Sequence, residues 1–304
     1  MGPSIPARQP RPGLLRPARY GVAPGTGPGF LESGPSCIFW PVCRHGTMTL
    51  SLSLTLLCCF AFAAGLIDAA VGGGGLIQIP ALFNVLPNTP PPTLLGSNKL
   101  TSMCGTSVAA ASYVRRIAVP WRLVLPATVA AFGMSFAGAA AVAQIPPSVM
   151  RPVVLVLLIL IAVYTFAKKD FGTTDANQPL TPRRRLLAVL IGGAIGFYDG
   201  LFGPGTGSFL IFLFIRCFRM DFVRASACAK VLNLSTNAAA LLYFIPAGQV
   251  LYGYALPMAV CNIGGAVVGT RLAMQKGAGF VRVLFLILLV VLIGKLGYDV
   301  LHQG

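Results

Sequence analysis

The chain has 304 residues, 56% of them hydrophobic and 10% charged, with a formal charge of +16. About a quarter of an ordinary soluble domain is charged. A disordered chain, a nucleic-acid-binding module and a cytosolic enzyme are therefore excluded, and the surplus of apolar residues calls for lipid as solvent. The basic residues fall in the N-terminal tail, at the ends of apolar segments and between them. That pattern fits positive-inside topology and headgroup contact.

The eight cysteines include no Cys-x-x-Cys, and Cys58, Cys59, Cys104, Cys228 and Cys261 lie in apolar segments, where small inert thiols are expected. His45 and His302 lie in the tail and at the C-terminus. No histidine is left for acid–base or metal chemistry inside the membrane. The expectation is no enzyme, no metal and no cofactor.

Residues 1–47 hold nine prolines, eight glycines, five arginines and one acid, a composition that cannot build a core. They read either as a disordered tail or, the preferred reading, as lying upstream of a start at Met48. Arg44, the apolar run 50–60 and Ala61-Phe62-Ala63 imitate a signal peptide. Cleavage is not expected, because the residues just beyond are repeated later in the chain.

Eight apolar segments follow, near 49–86, 93–114, 123–145, 152–167, 186–215, 225–246, 251–270 and 280–300. The sequence predicts an all-α polytopic membrane protein of about eight transmembrane helices, with a first repeat over 48–167, a polar cytoplasmic linker at 168–185 and a second repeat over 186–304. Gly192-x-x-x-Gly196, Gly196-x-x-x-Gly200 and Gly265-x-x-x-Gly269 mark close helix packing within the molecule. Eight crossings with both termini inside fit the first half, whose inner flanks hold nine cations against Arg151 outside. The second half conflicts, because its supposed outer loops hold Arg216, Arg219, Arg224, Arg271, Lys276 and Arg282.

A shift of 131 aligns the halves without a gap. Gly65-Leu-Ile-Asp68 meets Gly196-Phe-Tyr-Asp199, Gly72 meets Gly203, Gly74 meets Gly205, and Lys99 meets Lys230. Pro126, Gly133 and Gly138 meet Pro257, Gly264 and Gly269. The chain reads as a duplicated four-helix unit. An even number of crossings per half predicts parallel halves, related by an axis along the membrane normal.

Asp68, Asp199, Lys99 and Lys230 lie inside apolar segments. Each costs about 2.5–3.5 kcal/mol at a bilayer centre if unpaired. Such residues persist in structural pairs or facing a wet cavity, where they are functional candidates. Depth counted from Arg185 and Arg224 puts Asp199 and Lys230 at one level.

After each acid comes a glycine break, Gly72-Gly73-Gly74-Gly75 and Gly203-Pro204-Gly205-Thr206-Gly207. Such a run disfavours a straight helix. It survives at membrane depth only where protein or water satisfies the backbone. New half-helices are expected from Leu76 and Ser208, their free N–H groups and positive dipole ends offering an anion site with Gly73, Gly74, Gly75, Gly205, Thr206 and Gly207. Lys230, Asn233 and Asn237 share one helix face, Lys99 and Ser102 share the equivalent face, and Asn98, Ser97, Thr101, Ser235 and Thr236 lie nearby. These polar residues either finish the site or bond between helices. Arg271 is a loop cation or a second anion contact.

The runs at 65–75 and 196–209, with Ser97-Asn98-Lys99, resemble the TauE/SafE sulfite-exporter family of permeases over about residues 49–301. The resemblance implies a bacterial cytoplasmic-membrane transporter of duplicated architecture, multi-pass, whose relatives are linked to sulfite, sulfoacetate and other sulfur-containing or organic anions. The sequence expectation is a secondary transporter of a small anion, coupled to protons or sodium. Lys99 and Lys230 would attract the anion, and Asp68 and Asp199 would hold the lysines charged or take up a coupling proton. An anion channel and a structural subunit of a membrane complex are the alternatives. The partners expected are the small anion and the bilayer, with no nucleic acid and homo-oligomerisation left open.

Overall fold

The computed structural model describes residues 47–142, 144–146 and 181–276, together with Gly2 and Val156. The expected segments 152–167 and 280–300, most of the linker 168–185 and the tail lie outside these residues. Residues 45–304 form the larger of the two compact units into which the chain divides. The described elements of the larger unit are all helical: α1 Thr47–Val71, α2 Gly75–Val85, α3 Pro91–Val114, α4 Trp121–Val142, α5 Pro182–Leu201, α6 Thr206–Phe218, α7 Phe222–Phe244 and α8 Tyr252–Lys276.

Parts of α1, α4 and α8 are long and apolar enough to cross a membrane, while α2 and α6 are shorter apolar helices. The eleven residues of α2 rise only about 16 Å, half of a hydrocarbon core. Large apolar side chains such as Leu125, Val129, Leu190 and Val260 point outward. Ser97, Asn98, Lys99 and Thr101 on α3, and Lys230, Thr236 and Asn237 on α7, are buried. Apolar residues outside and polar residues inside is the distribution that lipid solvent selects.

Glycine sets the packing. A Cβ on Gly192, Gly196 or Gly200 of α5 would fall within 2.5 Å of the main-chain oxygens of Ala127, Ala131 and Ser135 on α4. Gly265 and Gly269 of α8 meet Phe62 and Leu66 of α1 in the same way. These small-residue stripes hold α4 against α5 and α1 against α8, so the three glycine patterns serve contacts inside the molecule.

Contacts also fix direction. Leu57 clusters with Met258, and the Asn262 Nδ2 donates to Ala61 O, so α1 runs with α8. Ser97 accepts from Leu251 N and Thr101 donates to Ala255 O, so α3 runs with α8 as well. On the other side, α4 runs with α5 by its glycine contacts and with α7, where Ser235 meets Thr128 and Tyr243 meets Phe136. Gly96, at the start of α3, abuts Phe244, at the end of α7, so α3 and α7 are antiparallel.

The expectation of parallel halves therefore fails: α1, α3 and α8 point one way, and α4, α5 and α7 the other. The reason lies at the glycine breaks. Gly74 sits against Ala64 and Asp68 of α1, and Ala81 and Leu82 of α2 cluster with Leu57 and Ala61. The chain turns back at the break and does not continue across. A turn-back adds no net crossing, so the crossing count assumed for each half was one too many.

The inversion removes the charge conflict. Arg115, Arg116, Arg122, Arg183, Arg184, Arg185, Arg216, Arg219, Arg224, Arg271 and Lys276 all fall at one end of the bundle. The described loops at the other end, 86–90, 144–146 and 245–251, carry no charge. The positive-inside rule reads the basic end as the cytoplasmic one. On that reading the first helix starts on the outer side, against the expected inside start.

Candidate functional site

The two helix breaks meet. Gly72 (φ 83°) and Gly203 (φ 85°) occupy the left-handed region that favours glycine, ending α1 and α5. A Cβ on Gly72 would lie 2.3 Å from the Gly207 carbonyl carbon, and one on Gly75 would lie 3.3 Å from Pro204 Cα. Only glycine lets these backbones cross so closely.

A helix that stops inside a membrane leaves carbonyls without partners. Here other helices supply them. Tyr113 Oη donates to Ala69 O at 3.1 Å, Ser208 Oγ to Val71 O at 2.8 Å, and Ser208 N to Gly72 O at 3.0 Å. Lys230 Nζ donates to Asp68 O. The lysine charge thus sits at the negative end of the α1 dipole. Lys99 Nζ lies beside Gly203, at the end of α5.

Asp68 and Asp199 are both paired, each with the lysine of the other half. Lys230 Nζ donates to Asp68 Oδ2 at 2.7 Å, and Thr106 Oγ1 reaches the same oxygen at 3.3 Å. Lys99 Nζ lies 2.8 Å from Asp199 Oδ2, close enough for an ion pair but not aligned for a hydrogen bond. Thr206 Oγ1 donates to Asp199 Oδ1 at 2.7 Å and holds that carboxylate in place. The depth count that put Asp199 and Lys230 at one level took Arg185 and Arg224 for opposite ends, whereas both lie at the basic end. With the halves inverted, the acid of one half lies level with the lysine of the other.

Beside the pairs is a cavity of about 20 Å³, room for roughly one water molecule. Of the residues expected at the site, Asp68, Asp199, Lys99, Gly75, Gly207, Asn98, Asn233 and Asn237 line it, as does Ser102. Gly73, Gly74, Gly205, Thr206 and Lys230 do not. Gly74 packs on α1, Thr206 braces Asp199, and Lys230 is fully buried behind Asp68. The half-helices begin at Gly75 and Thr206, one and two residues earlier than expected. The start of α6 is not bare either, since Ser208 N is bonded to Gly72 O. Arg271 is exposed and away from the cavity.

Thr106, Gly72 and Gly203 also line the cavity and were not chosen from the sequence as site residues. The sequence offset of 131 held a signal for them. Thr106 is Lys99 plus seven and stands 131 residues before Asn237; Ser102 stands 131 before Asn233. One wall of the cavity thus carries hydroxyls where its counterpart carries amides, and the Asn237 Nδ2 donates to Asn233 Oδ1 at 2.7 Å. Asn98 Oδ1 is buried without a partner among the described residues.

The sulfite exporter TauE/SafE family matches residues 57–296. The chain is 37% identical over 249 residues to a probable membrane transporter protein, ORF9, of a Sinorhizobium species, covering 82% of this chain and 94% of that one. It is 33% identical to a probable membrane transporter protein of Haemophilus influenzae, covering 81% and 95%. It is 35% identical to the probable membrane transporter protein YfcA of Escherichia coli strain K12, covering 83% and 92%. No solved structure gives a significant match.

Proposed function

Because the chain belongs to the sulfite exporter TauE/SafE family of membrane transporters, we propose that it is a secondary carrier of a small anion in a bacterial cytoplasmic membrane. The observation that carries this reading is the cross-paired cluster. Two lysines and Asp199 lie buried, and Asp68 partly buried, where two broken helices cross, beside a polar cavity. Ionisable groups at such depth are costly, and they are retained for ion and substrate pathways.

The two halves are inverted copies of one unit. Helix starts 131 residues apart support this, at Gly75 and Thr206, Pro91 and Phe222, and Trp121 and Tyr252. Inverted units allow one site to be served from both faces by exchanging two related conformations.

The anion binds through Lys99, with Asn98, Asn233, Asn237, Ser102 and Thr106 supplying polar contacts. Lys230 acts from behind Asp68. An arriving anion competes with Asp199 for Lys99, and the released carboxylate takes the coupling proton or cation. The cavity as it stands admits about one water, so binding requires the walls to part. Sulfite, sulfonates and small carboxylates are the substrate class, a family-level analogy that Lys99 and the polar lining support.

The test is reconstitution into liposomes and a screen of sulfite, sulfonates, carboxylates and thiosulfate against imposed proton and sodium gradients. Saturable uptake that follows one of the gradients supports the carrier. Ohmic single-channel currents would convert the reading to a channel, and no flux of any anion would overturn it.

A further inference from the structure

Resting on the carrier reading, we propose that the two ion pairs are the two gates of the site, with Lys99–Asp199 closing its outer side and Lys230–Asp68 its cytoplasmic side. Direction and register carry this. The first turn of α3 lies at the uncharged end of the bundle, and Lys99 is eight residues in, about 12 Å along the axis. The first turn of α7 lies at the basic end, and Lys230 is likewise eight residues in.

The two helices then pass the cavity in opposite senses, Ser102 and Thr106 following Lys99, and Asn233 and Asn237 following Lys230. Lys99 therefore lies toward the uncharged end of the cavity it lines, and Lys230, about one turn before Asn233, lies toward the basic end. Each pair also ties the long polar helix of one half to the broken helix of the other, at 2.8 Å and 2.7 Å. Opening one side of the site must separate one pair and can leave the second intact.

The two pairs are not alike. Lys230 keeps the Asp68 main-chain carbonyl when the carboxylate leaves, and the side chain of Asp68 is 16% exposed. Lys99 and Asp199 are almost sealed, at 3% and 2%. Both pairs are closed in this structure, and the cavity between them is correspondingly small. A substrate anion that takes over Lys99 removes the charge holding the outer pair, which couples occupancy to the gate.

The experiment reads access, not transport. A cysteine replaces Ser102 in a background freed of native cysteines. A membrane-impermeant thiol reagent is then applied to right-side-out and inside-out vesicles. The double variant Lys99→Met with Asp199→Asn removes both charges, so no unpaired ion is left buried. It should raise labelling from the outer side about tenfold and leave the cytoplasmic side unchanged. Lys230→Met with Asp68→Asn should do the reverse. The swapped pair, Lys99→Asp with Asp199→Lys, should return labelling to the parent level and serves as the check on folding.

Increases from the same face for both variants, or from neither, would overturn the gate assignment. That outcome would leave the carrier reading standing if the parent chain still moves anions. Side-specific labelling in a chain that moves no anion would instead keep the gates and remove the carrier.

Discussion

The cross-half pairing makes a thermodynamic prediction that within-half pairing contradicts. Removing the charge of Lys99 alone, as in Lys99→Met, leaves Asp199 with 2% of its side chain exposed and its cation gone. At 2.8 Å and an effective dielectric of about 20, the lost attraction is about 6 kcal/mol. Loss of one partner of a buried pair is measured at about 3–5 kcal/mol. With roughly 2–4 °C per kcal/mol for a domain of this size class, the midpoint should fall by about 10 °C in thermal unfolding of the detergent-purified protein.

Adding Asp199→Asn should recover most of that loss, since the second substitution removes the stranded charge. Adding Asp68→Asn should not, because it strands Lys230 in turn. Rescue by Asp68→Asn with none by Asp199→Asn would refute the pairing, and so would strict additivity in both cycles.

Gly72→Ala should lower stability and flux together, because its Cβ would lie 2.3 Å from the Gly207 backbone at a positive φ; Gly133→Ala, with no described residue within 4 Å of its Cβ, should be silent in the same melts and assays. Gly196→Ala should cost about 1–3 kcal/mol, as overpacking does, by forcing α5 away from Ala131, read as a lower unfolding midpoint. A cysteine at Gly248 should react with an impermeant thiol reagent in intact cells, whereas one at Ile117 should react only after the membrane is opened; the opposite pattern would reverse the orientation derived from the basic end.

Much of this was legible in the sequence because buried charge is rare in membranes. Asp68, Asp199, Lys99 and Lys230 announced themselves by cost alone, and the constant offset of 131 linked them to the glycine runs. Direction was not legible. A glycine run says that a helix stops, but whether the chain continues or doubles back depends on packing with α1 and α3, through Gly74, Leu57 and Leu82. That one choice reversed the second half, set Lys99 against Asp199 and Lys230 against Asp68, and put the described basic loops at one end. Thr106 escaped because a threonine in an apolar helix usually bonds to its own backbone, and only its equivalence with Asn237 marks it. Lys230 was expected to face the substrate, yet the turn-back places the end of α1 over it, and its charge is shared between a carboxylate and a helix terminus.

The central claim is that Lys99 binds the anion at the crossed breaks and that both lysine–carboxylate pairs are needed to move it. Its most direct measurement is initial uptake into proteoliposomes by the parent chain and by the charge-compensated variants Lys99→Met with Asp199→Asn and Lys230→Met with Asp68→Asn, each shown to be monodisperse. Flux should fall to background in both variants while the proteins remain folded. Parent-level, saturable uptake in either one would contradict the account.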